Sequence, residues 1–251
     1  AHSFPNYPPE GIKTFLPFVD EAAKSCGSNV DNFGPFLFGH PYKIRDCMME
    51  AHRRAFPAIK ENLNNNQPVG ITLSIMDYQC IEGGEEERDK AHAESVDICL
   101  DQIKDDDFLG VQMYTRHTFG PDGIIMPDIN TADMLVMGYE YYPESVENVL
   151  RYVGPKINCP MIVTENGIGT DDDQQRINYI TTALEGLQRC LDDGLDIRGY
   201  YYWSFLDNFE WLFGYKPRFG LVDVNRNTLE RKGKESLNFY KSIIENAQSN
   251  P

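Results

Sequence analysis

Carboxylate, amide and aromatic side chains follow several segments of the sequence that are predicted to be strands. Glu165 comes directly after the apolar run Pro160–Thr164, and Tyr114 and Trp203 are the last residues of two other apolar runs. Aromatic faces stack against the C–H faces of sugar rings, while carboxylates and amides bind the sugar hydroxyls. These residue types therefore predict a sugar-binding site with a reactive carboxylate. The neighbouring candidates are Gln112, Arg116, Ser204, Asp207, Glu210 and Trp211.

The same residues also have ordinary structural explanations. The chain has 39 acidic residues, so some must follow strands, where most carboxylates are solvated or cap the next helix. Tyr114 and Trp203 are equally explained as aromatic residues of the core or its rim. Residue type and position alone therefore leave open whether Glu165 is reactive or solvated.

Strand and helix signals alternate from about residue 47 to the end of the chain. Short β-branched or aromatic runs predict strands, and apolar residues at helical spacing predict helices. The predicted strands are Val69–Met76, Phe108–Tyr114, Pro160–Thr164 and Ile197–Trp203. The predicted helices are Met48–Leu63, Ala91–Lys104, Pro143–Tyr152, a helix from a cap at Asp171–Asp173 to Asp193, and Lys234–Asn246, with Gly154 and Gly194 as stop signals.

Four successive strand–helix units predict a parallel sheet, which is compatible with a doubly wound fold or a (β/α)8 barrel. The pair Gly83-Gly84 is followed by three glutamates that would repel phosphate, so a doubly wound nucleotide-binding fold is disfavoured. We therefore predict an α/β fold of the (β/α)8 TIM-barrel type, of which about four βα units are present. Residues 1–251 are predicted to form a single domain, with a loop-rich segment at 1–47 and the four units at 48–251.

Charge and composition exclude several classes of partner. With 23 basic and 39 acidic side chains, the net charge of −16 disfavours binding to nucleic acid. No apolar run approaches the ~18 residues of a membrane span, and no secretory signal is recognised. The six cysteines lack metal-site spacing and predict buried free thiols, so we expect a reducing, cytoplasmic setting.

Three sequence blocks carry a resemblance to a known family. They are VTENG (Val163–Gly167), YWSFLDNFEW (Tyr202–Trp211) and GYKPRFGLVDV (Gly214–Val224), with weaker support from GVQMYTR (Gly110–Arg116) and MGYEYYP (Met137–Pro143). In type, order and spacing these blocks resemble the family 1 glycoside hydrolases of the β-glucosidase type. The strong blocks cover roughly residues 161–231.

The resemblance implies a retaining β-glycosidase that acts on β-glucosides or related β-glycosides. Glu165 matches the catalytic nucleophile, which forms a covalent glycosyl-enzyme. Tyr114 matches the tyrosine that hydrogen-bonds this nucleophile. The implied substrate-binding residues are Gln112, which stands where many members carry Asn, and Trp203, Glu210, Trp211 and Phe219. No metal or organic cofactor is implied.

The sequence departs from the family pattern in the first half of the barrel. The general acid/base of the family lies in an N-E-P segment, and this chain contains no N-E-P. We therefore expect the acid/base to be missing from this chain, which resembles only the C-terminal half-barrel. The glutamates of the EGGEEE segment (Glu82, Glu85, Glu86 and Glu87) are predicted to be a solvated acidic turn.

A half-barrel leaves the inner face of its sheet uncovered, whereas parallel sheets are normally covered on both faces. We expect the chain to form a homodimer or to pair with a complementary N-terminal half-barrel. Two functional alternatives remain beside hydrolysis. The chain could bind a sugar without turning it over, or it could be a truncated half-barrel with weak or no activity.

Overall fold

The computed structural model describes residues 18–29, 33, 41–64, 67–128, 130–131 and 133–249. The strands are β1 (Gly70–Ser74), β2 (Asp77–Cys80), β3 (Phe108–Gln112), β4 (Arg116–Gly120), β5 (Gly123–Ile125), β6 (Met161–Asn166), β7 (Ile197–Tyr202), β8 (Val222–Val224) and β9 (Arg231–Gly233). The helices are α1 (Pro41–Asn62), α2 (Glu85–His92), α3 (Ser145–Val153), α4 (Asp173–Asp192) and α5 (Glu235–Ser249), and residues 18–25 and Ile98–Leu100 are also helical.

The central sheet has four parallel strands in the order β1-β3-β6-β7. Strands that follow one another along the chain as βα units are also neighbours in the sheet. Helices α2, α3 and α4 provide the connections between these strands, and α5 follows the last one. The structure thus confirms the four predicted strands and the partial α/β barrel.

The two faces of this sheet differ in their residues. Leu109, Val111 and Val163 are fully buried in the core against the helices. On the opposite, inner face, a Cβ added at Gly110 would lie 2.5 Å from Cγ2 of Thr72, and one added at Gly199 would lie 3.3 Å from Cγ2 of Ile162 and 3.6 Å from the Tyr201 ring. Tyr201 also lies on this face and is 63% exposed. Helices α3 and α4 pack on the face of the sheet that carries Leu109, Val111 and Val163.

The sequence did not predict the second sheet, in which β2 pairs with β4 in parallel and β4 pairs with β5 in antiparallel fashion. These residues were predicted to be part of a long loop. The prediction was wrong because β4 (RHTFG) and β5 (GII) are too short and too mixed in polarity to show strand periodicity. A tight turn with Gly123 at φ +111° joins them.

Two predicted helices begin earlier in the structure than the sequence indicated. Helix α1 begins at Pro41 rather than at Met48, and Pro57 lies within it. Helix α2 begins at Glu85, inside the predicted acidic turn, and continues through the π-helical segment Ala93–Asp97 into Ile98–Leu100. Three glutamates in its first turn interact favourably with the helix dipole, which explains a helix where a loop was expected.

Both glycines that were predicted as stop signals stand at the end of a helix, but only one of them adopts the left-handed conformation of a terminating glycine. Gly194 has φ +89°, and it ends α4 as predicted. Gly154 instead has helical angles of φ −51° and ψ −45°, and the chain continues into the 3-10 turn Gly154–Lys156. A Cβ at Gly154 would lie 3.0 Å from the Leu195 side chain, so this glycine is explained by close packing.

The six cysteines are free thiols, as predicted, but only Cys99 and Cys190 are buried. Cys26 and Cys47 are exposed, which corrects the expectation of uniformly buried thiols. None of the helices among the described residues is long and apolar enough to cross a membrane.

Candidate active site

Glu165 lies at the C-terminal end of β6, where it pairs in register with Gln112 of β3. Gln112 Nε2 donates a hydrogen bond to Glu165 Oε1 at 2.9 Å, and the Tyr114 hydroxyl donates to Glu165 Oε2 at 2.5 Å. Each carboxylate oxygen thus has its own donor. The structure brings together these three residues, whose juxtaposition was predicted from their positions at strand ends.

The electrostatic environment of Glu165 combines opposing effects. Burial raises the pKa of Glu165 above its ordinary value, the hydrogen bond from Tyr114 lowers it, and the nearby carboxylate of Glu210 raises it further. The balance is a raised pKa. Burial and the adjacent Glu165 raise the pKa of Tyr114 well above its ordinary value, so the phenol keeps its proton and remains a donor at neutral pH.

A buried network of hydrogen bonds connects the strand ends next to Glu165. Asn166 is fully buried, and its Nδ2 donates to the backbone oxygen of Met113 at 2.8 Å and to the Tyr179 hydroxyl at 3.0 Å. The Tyr200 hydroxyl donates to Asn166 Oδ1 at 2.8 Å. Tyr179 in turn donates to the backbone oxygen of Tyr114 at 3.0 Å. This network fixes the backbone at both Glu165 and Tyr114, because a buried polar group is costly to leave unpaired.

Gly167 allows the end of β6 to approach Trp203. A Cβ at Gly167 would lie 1.9 Å from the backbone oxygen of Trp203, which no side chain could tolerate. The Trp203 amide donates to the backbone oxygen of Asn166 at 2.9 Å. The glycine of the T-E-N-G block is therefore required for the close contact that places Trp203 beside the strand end of Glu165.

Trp203 contacts the second carboxylate of the site directly. Its indole Nε1 donates to Glu210 Oε1 at 3.2 Å. The Glu210 amide donates to the backbone oxygen of Gly214 at 2.7 Å, and Gly214 adopts φ +61° in this turn. Trp211 follows in the 3-10 turn Trp211–Phe213 and is 63% exposed. Trp203, Glu210 and Trp211 therefore lie in one loop after β7, as predicted.

Phe219 supports the site from behind. It is only 2% exposed, and its ring packs edge-on against that of Tyr114, with centroids 6.3 Å apart. A Cβ at Gly169 would lie 2.9 Å from the Phe219 ring, so this ring is tightly enclosed. The contact with Tyr114 orients the phenol that donates to Glu165. A direct contact between Phe219 and a sugar stays a prediction.

Tyr139 belongs to this environment, although sequence reasoning did not select it. Its hydroxyl is buried and has no hydrogen-bond partner among the described residues. Burial, followed by the neighbouring Tyr179 and Glu210, raises the pKa of Tyr139 well above its ordinary value. The only sequence signal was its place in the MGYEYYP block. Among the described residues, no group of His, Cys, Asp and Glu side chains has an arrangement that could hold a metal ion.

Comparisons with known proteins show which family this chain resembles. Residues 125–249 match the model of glycosyl hydrolase family 1. β-Glucosidase A of Acetivibrio thermocellus is 36% identical over 150 residues, which are 56% of this chain and 33% of that protein. A β-galactosidase of Saccharolobus solfataricus is 29% identical over 235 residues, which are 79% of this chain and 47% of that protein. The crystal structure of β-glycosidase BGL167 is 37% identical with a TM-score of 0.81, over 94% of this chain and 56% of that chain.

Four consecutive βα units, with the candidate residues at the C-terminal ends of the strands, define a part of a TIM-type α/β barrel. The chain belongs to glycosyl hydrolase family 1 and corresponds to the C-terminal half of its fold. It spans between a third and a half of the length of the two curated relatives.

Proposed function

We propose that this chain carries the nucleophile half of a retaining β-glycosidase site, acting on β-glucosides or related β-glycosides. The observation that supports this function best is the double hydrogen bonding of Glu165, with Tyr114 on one oxygen and Gln112 on the other. These donors fix the carboxylate at the end of a barrel strand, in the same loop cluster as Trp203 and Glu210. The relatives named as β-glucosidase and β-galactosidase support the substrate class.

In the proposed reaction, a carboxylate oxygen of Glu165 attacks the anomeric carbon of the bound sugar. The bond between this carbon and the glycosidic oxygen breaks, the aglycone leaves with the bonding electrons, and a glycosyl ester forms on Glu165. Water then attacks the same carbon and loses one proton to the solvent, which releases the sugar and restores the carboxylate. Tyr114 and Gln112 hold the carboxylate in one orientation, so that little reorganisation is needed when the bond forms.

We infer that the proton donor to the leaving group does not come from this chain. A retaining site needs a second carboxyl group about 5–5.5 Å from the nucleophile. Among the described residues, Glu210 is the one carboxylate that acts on the pKa of Glu165, and the family resemblance gives Glu210 a role in sugar binding. The sequence contains no N-E-P segment that could supply the family's acid/base.

The acidity of the leaving group should control the rate of hydrolysis by this chain alone. A general acid contributes roughly 10²- to 10⁴-fold to such a step, and good leaving groups depart without it. We expect turnover of 2,4-dinitrophenyl β-glucoside and little or none of methyl β-glucoside, as measured by initial rates over a series of β-glucosides. Rates that hardly vary along the series would contradict the inference, since they require an acid in this chain.

The Tyr114→Phe variant should shift the acid limb of the pH profile upwards. The Tyr114 hydroxyl lowers the pKa of Glu165 by stabilising the ionised carboxylate, so its removal raises this pKa. Attack requires the carboxylate, so the rate falls as the pH drops through the pKa. A hydrogen bond to a charged group is worth about 1.5–3 kcal/mol, which predicts that the acid limb of kcat/KM for dinitrophenyl β-glucoside moves upwards by about one to two pH units.

A matched control for this prediction is Tyr152→Phe. Tyr152 lies on α3 and donates its hydroxyl hydrogen bond to Asp97, on the helix side of the sheet. The pH profile of the Tyr152→Phe variant should coincide with that of the unsubstituted chain. An acid limb that does not move in Tyr114→Phe would show that Tyr114 does not act on the carboxylate that reacts.

Sugar binding without turnover is the second candidate function. It is favoured by the Trp203–Glu210 contact, which offers an aromatic face and a carboxylate regardless of any proton donor. Binding of glucose, with no hydrolysis even of dinitrophenyl β-glucoside, would support this function over the first.

We propose that the inner face of the sheet is covered by another protein chain. The edge strands β1 and β7 each have one side without a strand partner among the described residues, and Tyr201 is largely exposed on the inner face. A second copy of this chain or a complementary first-half barrel would cover both features. The complementary half would in addition bring a proton donor toward Glu165.

A further inference from the structure

The carboxylate of Glu210 is held by two donors on the same oxygen. Trp203 Nε1 donates to Oε1 at 3.2 Å, and Asn208 Nδ2 donates to the same atom. Among the described residues, no group donates a hydrogen bond to Oε2. Glu210 is only partly buried, so its Oε2 atom remains to accept hydrogen bonds from the hydroxyl groups of a ligand.

The side chain of Asn208 bridges Ser204 and Glu210. Ser204 Oγ lies 3.0 Å from Asn208 Oδ1 and 2.7 Å from the backbone oxygen of Leu206. The Glu210 carboxylate can only accept hydrogen bonds, so the NH₂ end of the Asn208 amide is the one that faces it. Ser204 is itself buried, and its amide and carbonyl hydrogen-bond to Phe219 and Leu221.

The residue before Asn208 anchors the loop to the rest of the barrel. Asp207 is 6% exposed, and its Oδ1 accepts hydrogen bonds from the Gly220 amide at 2.8 Å and from Lys234 Nζ at 2.9 Å. Its own amide donates to the backbone oxygen of Val222 at 3.0 Å. Asn208 therefore extends from a fixed backbone, and its side-chain amide hydrogen-bonds to Glu210.

We propose that Asn208 is a positioning residue for Glu210. Its amide group donates to Oε1 of Glu210, so that Oε2 is left to accept hydrogen bonds from sugar hydroxyls. Asn208 makes no covalent or proton-transfer step, and it acts only through the carboxylate. This inference rests on the proposed function, because it assumes that Glu210 binds the sugar. It assigns the Ser204–Asn208–Glu210 chain of hydrogen bonds a role in affinity that sequence position alone does not indicate.

Glucose binding to the full chain, followed by tryptophan fluorescence, tests the inference. Trp203 and Trp211 are the only tryptophans in the sequence, so the signal arises from this loop. We expect Asn208→Ala to weaken glucose binding roughly ten-fold, the size of one hydrogen bond to a charged group. In a Glu210→Ala background, the same substitution should change affinity by less than about two-fold, since interacting residues are not additive.

Two further variants separate positioning from folding. Asn208→Asp keeps the side-chain shape but places a carboxylate beside Glu210. At neutral pH we therefore expect a loss of glucose affinity at least as large as that of Asn208→Ala. Asn178→Ala, on the exposed face of α4, should leave glucose binding unchanged. All variants should keep the thermal unfolding transition of the unsubstituted chain.

The possible outcomes distinguish this inference from the proposed function. An equal loss of affinity with and without Glu210, or no loss in Asn208→Ala and Asn208→Asp, would overturn the positioning role while sugar binding by the chain stands. Failure of the unsubstituted chain to bind glucose would overturn the proposed function and the inference together.

Discussion

Replacement of Glu165 by glutamine should abolish hydrolysis of dinitrophenyl β-glucoside, with a loss on the order of 10⁴-fold or more in kcat, as found when a catalytic nucleophile is removed. The glutamine side chain is nearly isosteric with glutamate, but its amide cannot form the glycosyl ester. This amide could still pair with Tyr114 and Gln112, so the fold should be preserved. The loss should therefore appear in kcat while the unfolding temperature changes little.

The matched control for Glu165→Gln is Glu85→Gln. Glu85 is an exposed glutamate in the first turn of α2, and its substitution should leave kcat within about two-fold, since most surface substitutions are nearly neutral. Residual activity in Glu165→Gln close to that of Glu85→Gln would exclude Glu165 as the nucleophile. Such a result would also remove the case for any covalent intermediate on this chain.

The second large effect concerns the assembly of the chain. We expect light scattering to give a mass of at least twice the 28.7 kDa of one copy, because a parallel sheet with one open face exposes apolar surface and edge strands. Tyr201→Arg places a charge on the open face, at the edge strand β7, where burial would be costly. We expect this variant to dissociate into monomers and to unfold at a lower temperature.

Leu229→Arg is the control for Tyr201→Arg. Leu229 is similarly exposed, at 67%, but lies in the turn between β8 and β9, away from the inner face. It should assemble as the unsubstituted chain does. A monodisperse 28.7 kDa species that unfolds cooperatively would contradict the proposal that another chain covers the sheet.

The parallel sheet was predictable because its strands are continuous apolar runs. Residues such as Val111 and Val163 are buried against helices, and such strands differ sharply from the polar segments between them. The hairpin of β4 and β5 was not predictable on this basis. Its pairing depends on β2, which is distant in sequence, and three-residue strands carry no periodic signal.

The site was predictable to a similar extent. The position of Glu165 after a strand gave only a weak indication, and the T-E-N-G and F-E-W blocks strengthened it through the resemblance. The geometry places Gln112, Tyr114 and Glu165 in hydrogen-bond contact. Sequence position could not reveal that Phe219 is enclosed behind Tyr114, because that contact joins segments that are far apart in the chain.

The supporting network was missed for a different reason. Asn166 and Tyr179 look like ordinary turn and helix residues in the sequence. Their hydrogen bonds to each other and to the backbone at Met113 and Tyr114 arise only when three strand ends and α4 converge. The pattern of apolar residues in a sequence shows which face of a helix or strand is apolar. It does not show which polar groups from different elements hydrogen-bond to one another.

The proposed reaction requires a covalent bond between Glu165 and the sugar, and this intermediate can be trapped. The full chain would be incubated with 2,4-dinitrophenyl 2-deoxy-2-fluoro-β-glucoside, whose leaving group needs no acid, and its intact mass would be measured before and after. We expect the addition of one fluoroglucosyl unit, mapped by peptide analysis to Glu165. A chain that remains unlabelled, or one that is labelled on another residue, would contradict the proposed reaction.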